Sequence, residues 1–124
     1  MTIIENSRQT CAEIVNQIEK EIRNYEVYLS QIETYKRQIK DKKQEISRLK
    51  NLLSSADKSE IPFIRQKIEE EENLIKWLPG SIQTAKQQAE NSKALIETLS
   101  QEYDSGACSQ FFRKPTLNSF IHFS

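Results

Sequence analysis

The sequence predicts an all-α protein: a long antiparallel helical hairpin of coiled-coil type, with its second arm kinked or interrupted at Pro79-Gly80, that dimerises into a helical bundle. Three observations point there. Only two Gly and three Pro occur in 124 residues, far below ordinary usage, while the strong helix formers Glu, Lys, Gln and Leu are abundant. Apolar residues recur at alternating steps of three and four along two long runs, the signature of a helix packing lengthwise on another helix. Between the runs lies "SSADKSEIP", residues 54–62, a cluster of small polar residues that marks a turn. If Pro79-Gly80 were a true turn instead, the alternative would be a three-helix bundle.

The first arm covers about residues 10–54. Both Thr2-x-x-Glu5 and Thr10-x-x-Glu13 have capping-box spacing, so its start lies near one of them. Its stripe runs Cys11, Val15, Ile18, Ile22, Tyr25, Leu29, Ile32, Ile39, Ile46 and Leu53. In its first half Ile14, Tyr28 and Tyr35 widen the stripe. In its second half one heptad position is Lys36, Lys43 and Lys50 in succession. The turn occupies 55–59, where Ser59 is placed to cap a new helix and Pro62 to sit in its first turn, where a missing N–H costs nothing.

The second arm covers about 60–104. Its stripe runs Ile61, Ile64, Ile68, Glu71, Ile75, Leu78, Ile82, Ala85, Ala89, Ser92, Ile96, Leu99 and Tyr103, with Gly106 as its stop. The three–four rhythm crosses Pro79-Gly80 without losing phase. Against continuity, Pro costs about 3 kcal/mol and Gly about 1 kcal/mol inside a helix. The expectation is a bend in one colinear arm. Tyr35 and Trp77 would pack around the irregular helix beside Pro79 and Gly80.

Folded about residue 57, facing residues have numbers summing to about 114. Tyr25 meets Ala89, Leu29 meets Ala85, Ile22 meets Ser92, and Lys43 meets Glu71. The basic run "KRQIKDKKQEISRLK", 36–50, comes opposite "EEEE", 69–72, and the two are expected to neutralise each other. If the basic face were unopposed, a nucleic-acid accessory factor would be the alternative. Ile14, Tyr28, Leu52, Phe63, Leu74, Trp77 and Leu95 fall off the stripes. An exposed apolar set of this kind marks an interface, met by homodimerisation or by a different protein.

The inventory for chemistry is thin. The one histidine, His122, lies in the terminal tail, and two glycines cannot build a phosphate-cradling loop. No nucleophile elbow and no metal-spaced Cys/His cluster is present. The chain is therefore expected to be no enzyme, to hold no cofactor or metal, and to act as a protein–protein interaction module: a scaffold, assembly subunit, adaptor or inhibitor. Eighteen basic and eighteen acidic residues cancel, so no global field draws it to nucleic acid or anionic lipid.

The hairpin, 1–104, is followed by an aromatic tail, 105–124. Phe111, Phe112, Phe120 and Phe123, with Arg113 and Lys114, read as a peptide that docks in a partner's groove or on a sheet edge. A tail folded back over the open end competes with this reading, and adhesion to a membrane surface is a weaker one. Cys11 and Cys108 are too few for a disulfide framework or a zinc site. Cys11 on the packing stripe reads as a buried reduced thiol, although both cysteines lie at the open end, where a disulfide could form. No stretch reads as a membrane span or a signal peptide, and a reducing cytoplasm is the expected setting. Trp77-x-x-Gly80 has neither the spacing nor the position of the Trp-x-Gly turn of small secreted helical hairpins. Residues 54–60 leave no room for the β-hairpins of prefoldin-like subunits.

Overall fold

The computed structural model describes residues 3–116. Two α-helices carry nearly all of them: α1, Ile3–Leu53, and α2, Ile61–Ser105, followed by a short 3-10 turn, Cys108–Gln110. The chain divides into two compact units, one of residues 1–30 with 86–124 and one of residues 31–85. Each unit contains a piece of both helices packed against one another, and in each the pieces run antiparallel.

The helix ends follow local chemistry. Helix α1 begins at Ile3, seven residues before the expected start, beside the earlier of the two capping-box candidates. It ends where the Ser54 and Ser55 amides donate to the carbonyls of Asn51 and Leu52, and the Ser54 hydroxyl also turns back to Asn51. Helix α2 opens without a Ser59 cap: the amides of Glu60 and Ile61 both donate to the Asp57 carbonyl, at 2.9 and 3.3 Å. At the other end the Gly106 amide still donates to Glu102, and the left-handed residue is Ala107, with φ 53°. The glycine stands one place before the position that needs one.

In the unit of residues 31–85, Ile46 and Leu49 of α1 pack on Ile68 of α2, with Leu53, Ile64 and Ile75 around them. Leu49 was not on the expected stripe. The buried positions of α1 step 11, 15, 18, 25, 29, 32 and then 46, 49, so one packing position per heptad keeps its phase through 46 while the other moves back by one residue, from the 15–29 register to 49. Tyr35 and Lys36, adjacent and both half-buried, occupy the change-over. After the change-over the step to the second packing position is three residues, Ile46 to Leu49, where it was four in Cys11 to Val15 and Tyr25 to Leu29. It also corrects the expected ion pair: Lys42, not Lys43, reaches Glu71, at 3.2 Å.

Helix α2 runs through Pro79 and Gly80 as one helix. The expected interruption is absent, and so is the turn of the three-helix alternative. Burial explains why. Pro79 and Gly80 together disfavour helix by about 4 kcal/mol. Ile75, Leu78 and Ile82 are all partly buried and Ala85 is buried; covering an Ile or Leu side chain returns about 1.5–3 kcal/mol when complete. Breaking the helix would take one side of this set out of phase. Neither residue obstructs the packing: both are exposed, and a Cβ added at Gly80 would meet nothing within 4 Å.

In the unit of residues 1–30 and 86–124, Cys11, Val15 and Ile18 of α1 pack on Leu99, Tyr103 and Cys108. Tyr25, Ala89, Ser92 and Ile96 are also buried. Cys11 and Cys108 are joined in a disulfide across a sequence separation of 97, which replaces the reduced thiol expected at Cys11. The sulfurs lie in the core, with Cys11 1% and Cys108 0% exposed.

Candidate interaction surfaces

The tail residues expected to seek a partner are used within the chain. Phe111 and Phe112 lie half-buried against the Cys11–Val15–Ile18 cluster. The Tyr103 hydroxyl donates to the Phe112 carbonyl. Lys114 pairs with Asp104 at 2.9 Å and sits over the Tyr103 ring, 5.2 Å from its centroid. Together with the disulfide, these contacts hold residues 108–114 onto the helices. Arg113 alone of the described tail candidates is exposed. Phe120 and Phe123, and His122, lie outside the described residues. A cleft of about 690 Å³ opens beside the disulfide, with Thr10, Glu13, Ile14 and Glu102 on its walls.

The residues expected to gather beside Pro79-Gly80 separate. Tyr35 is half-buried, whereas Trp77, expected to pack inward, is 74% exposed. The reason is angular: Trp77 lies two residues past Ile75 and one before Leu78, both on the inward stripe, so its side chain leaves on another face. Phe63, exposed to the same 74%, stands two heptads earlier on α2, and Leu74 lies between them, also exposed. Trp77, Leu74 and Leu78 form one wall of a groove of about 390 Å³, and Gln38, Asp41 and Lys42 of α1 form the other.

Beneath this groove is a small charge network. Glu71 is only 8% exposed and takes Lys42 at 3.2 Å and Lys67 at 3.3 Å. The Lys42 hydrogen bond, assisted by Lys67, holds its carboxyl below the usual carboxylate range against the opposing effect of burial. On the surface, Glu45 pairs with Arg48 one turn away, which lowers the Glu45 carboxyl and raises the Arg48 guanidinium. Burial pushes the Tyr25 phenol up.

Along α1 a second groove, of about 400 Å³, is lined by Lys36, Ile39, Lys40, Lys43, Gln44 and Ser47. It shares no residue with the Trp77 groove. Among the described residues, no group of three or more His, Cys, Asp or Glu is placed to hold a metal ion, and no helix is long and apolar enough to cross a membrane.

Compared with known proteins, the chain matches no family model, no curated protein and no solved structure. Its functional reading therefore rests on its own geometry.

Proposed function

We propose that the chain is a non-enzymatic docking module, of the scaffold, assembly-subunit or adaptor kind, and that its first partner is a second copy of itself. One observation carries this reading: Phe63 and Trp77, the two most exposed large hydrophobic residues among those described, stand on the same face of α2 two heptads apart, with exposed Leu74 between them. Two aromatics left in water over such a span, on a helix whose other face is already packed, have the character of interface anchors. The spacing suits self-association. Two heptads are about 21 Å of helix. A second α2 crossing antiparallel about a two-fold axis brings Phe63 against the partner's Trp77, and Trp77 against the partner's Phe63, so that one contact covers both.

The tail carries less of this function than the sequence suggested, because Phe111, Phe112 and Lys114 are already engaged. The buried disulfide supports an oxidising compartment over the reducing cytoplasm expected from the cysteine count.

Sedimentation equilibrium of the native chain and of a Phe63→Ser/Trp77→Ser double variant tests the proposal. Both residues are exposed, so the variant keeps its helices. The expected result is a dimer mass for the native chain and a monomer mass for the variant. A native chain that stays monomeric at high concentration, or a dimer that survives both substitutions, overturns it.

A further inference from the structure

We infer that the Lys36–Lys40–Lys43 face of α1 docks an acidic amphipathic helix of a partner protein. The register shift creates this face. The acid expected to neutralise Lys43 is Glu71, and Glu71 is occupied by Lys42 and Lys67. Glu72 reaches Lys50, at 3.9 Å. The side chains of Lys40 and Lys43 are left with no ion pair or hydrogen bond among the described residues, and both are exposed. The positions 36, 40, 43, 47 and 50 form one stripe at helical spacing, occupied by Lys, Lys, Lys, Ser and Lys. The Ser47 hydroxyl folds back onto the Lys43 carbonyl, at 3.1 Å.

Like charges at spacings of three and four disfavour a helix. A chain with as many acids as bases could have relieved this stripe with a single Glu, and it does not. At Lys40 and Lys43 this local rule is broken without a compensating ion pair among the described residues, which marks a surface shaped for something outside the chain.

The groove's chemistry selects the occupant. Its floor is Ile39, half-buried and aliphatic, and its rim is the lysines. Lysines stepped by four and then three residues repeat at about 6 and 4.5 Å along α1. Glu residues stepped the same way on a helix laid along α1 repeat at the same distances, so the Lys40 and Lys43 ammonium groups each meet a carboxylate while one Leu of that helix sits on Ile39. A nucleic acid fits less well: no aromatic lines the groove to stack a base, and no Arg lines it to fork a phosphate.

The test uses the full chain and a fluorescent, stapled helical peptide with Glu at i, i+4 and i+7 around one Leu. A scrambled peptide of equal charge and a single-stranded oligothymidylate serve as controls. Fluorescence anisotropy at low and high salt is the readout, with helix content checked by circular dichroism. The expected result is saturable, salt-sensitive binding of the ordered peptide, weakened more than about tenfold by Lys40→Glu/Lys43→Glu, with weaker binding of both controls. Three results would each overturn the proposal: unchanged affinity in the variant, equal binding of the scrambled peptide, or tighter binding of the oligonucleotide. A Lys40→Gln/Lys43→Gln variant, which removes charge without reversing it, is expected to fall between native and charge-reversed affinity, and native-like affinity there also counts against it.

Discussion

Replacing Cys11 and Cys108 together by Ala removes a covalent link that spans 97 positions of sequence. The link restricts the unfolded chain, and closing a loop of that length is worth about 4.7 kcal/mol in the loop-entropy treatment. Both sulfurs are buried beside Val15, Ile18, Leu99 and Tyr103; Ala leaves no unpaired polar atom there but removes the packing of two sulfurs, so the loss should not be smaller. For a chain of this size the total corresponds to a fall in Tm of roughly 15 °C. Thermal unfolding followed by circular dichroism measures it, on the variant and on the native chain with and without a reducing agent. Urea titration adds a second sign: freed of its cross-link, the unfolded chain exposes more surface, so the m-value should rise as the midpoint falls. A Tm shift below about 3 °C, with an unchanged m-value, would refute the reasoning. So would rapid labelling of free thiols in the native, unreduced protein.

Gly80→Ala should stabilise the chain by up to about 1 kcal/mol, because Gly80 is helical, lacks a positive φ and has open space where the methyl would go; urea unfolding checks it. Glu71→Gln should destabilise by about 1 kcal/mol at neutral pH. The native Glu71 carboxyl sits below its ordinary range, so its contribution is complete above the unfolded carboxylate value and is lost as pH falls through the lower folded value; the native and variant unfolding curves should converge in acid. In the proposed antiparallel dimer, Glu70 is midway between Phe63 and Trp77 and approaches its own copy at the two-fold axis. Glu70→Gln should therefore tighten self-association severalfold, read as the dissociation constant in sedimentation.

Much of the fold can be read from the sequence because the inward stripes are long and regular. Of the seven leftover apolar residues, Leu52, Phe63, Leu74, Trp77 and Leu95 are exposed, whereas Ile14 and Tyr28 are half-buried, Ile14 against the Cys11 cluster. The errors cluster where a periodic rule meets a tertiary one. A strict heptad carried forward from Leu29 lands on Lys36, Lys43 and Lys50. The helix instead buries Leu49 and turns Lys42 inward, with a step of three residues where the first half steps four. The signal for this was Ile46-x-x-Leu49, an apolar pair at helical spacing that the heptad passed over. At Pro79 the unbroken three–four rhythm argued for one colinear arm against local propensity, and α2 is continuous there, without the interruption that propensity suggested. Trp77 carried two expectations, off the stripes and packed with Tyr35 around an irregular helix; only the first agrees with its exposure, and its position relative to Ile75 and Leu78 already pointed it outward. The disulfide is the least legible feature. Two cysteines 97 positions apart carry no spacing motif, and only the antiparallel return of α2 with the following turn brings them together.

Trp77 is the chain's only tryptophan, so its fluorescence reports directly on the surface proposed to dock. Emission recorded across a wide range of protein concentration is the most direct test of self-association through α2. The account predicts a water-exposed, red-shifted indole at high dilution and a saturable blue shift as concentration rises, abolished by Phe63→Ser. Emission that stays red-shifted and constant over the whole range would contradict it.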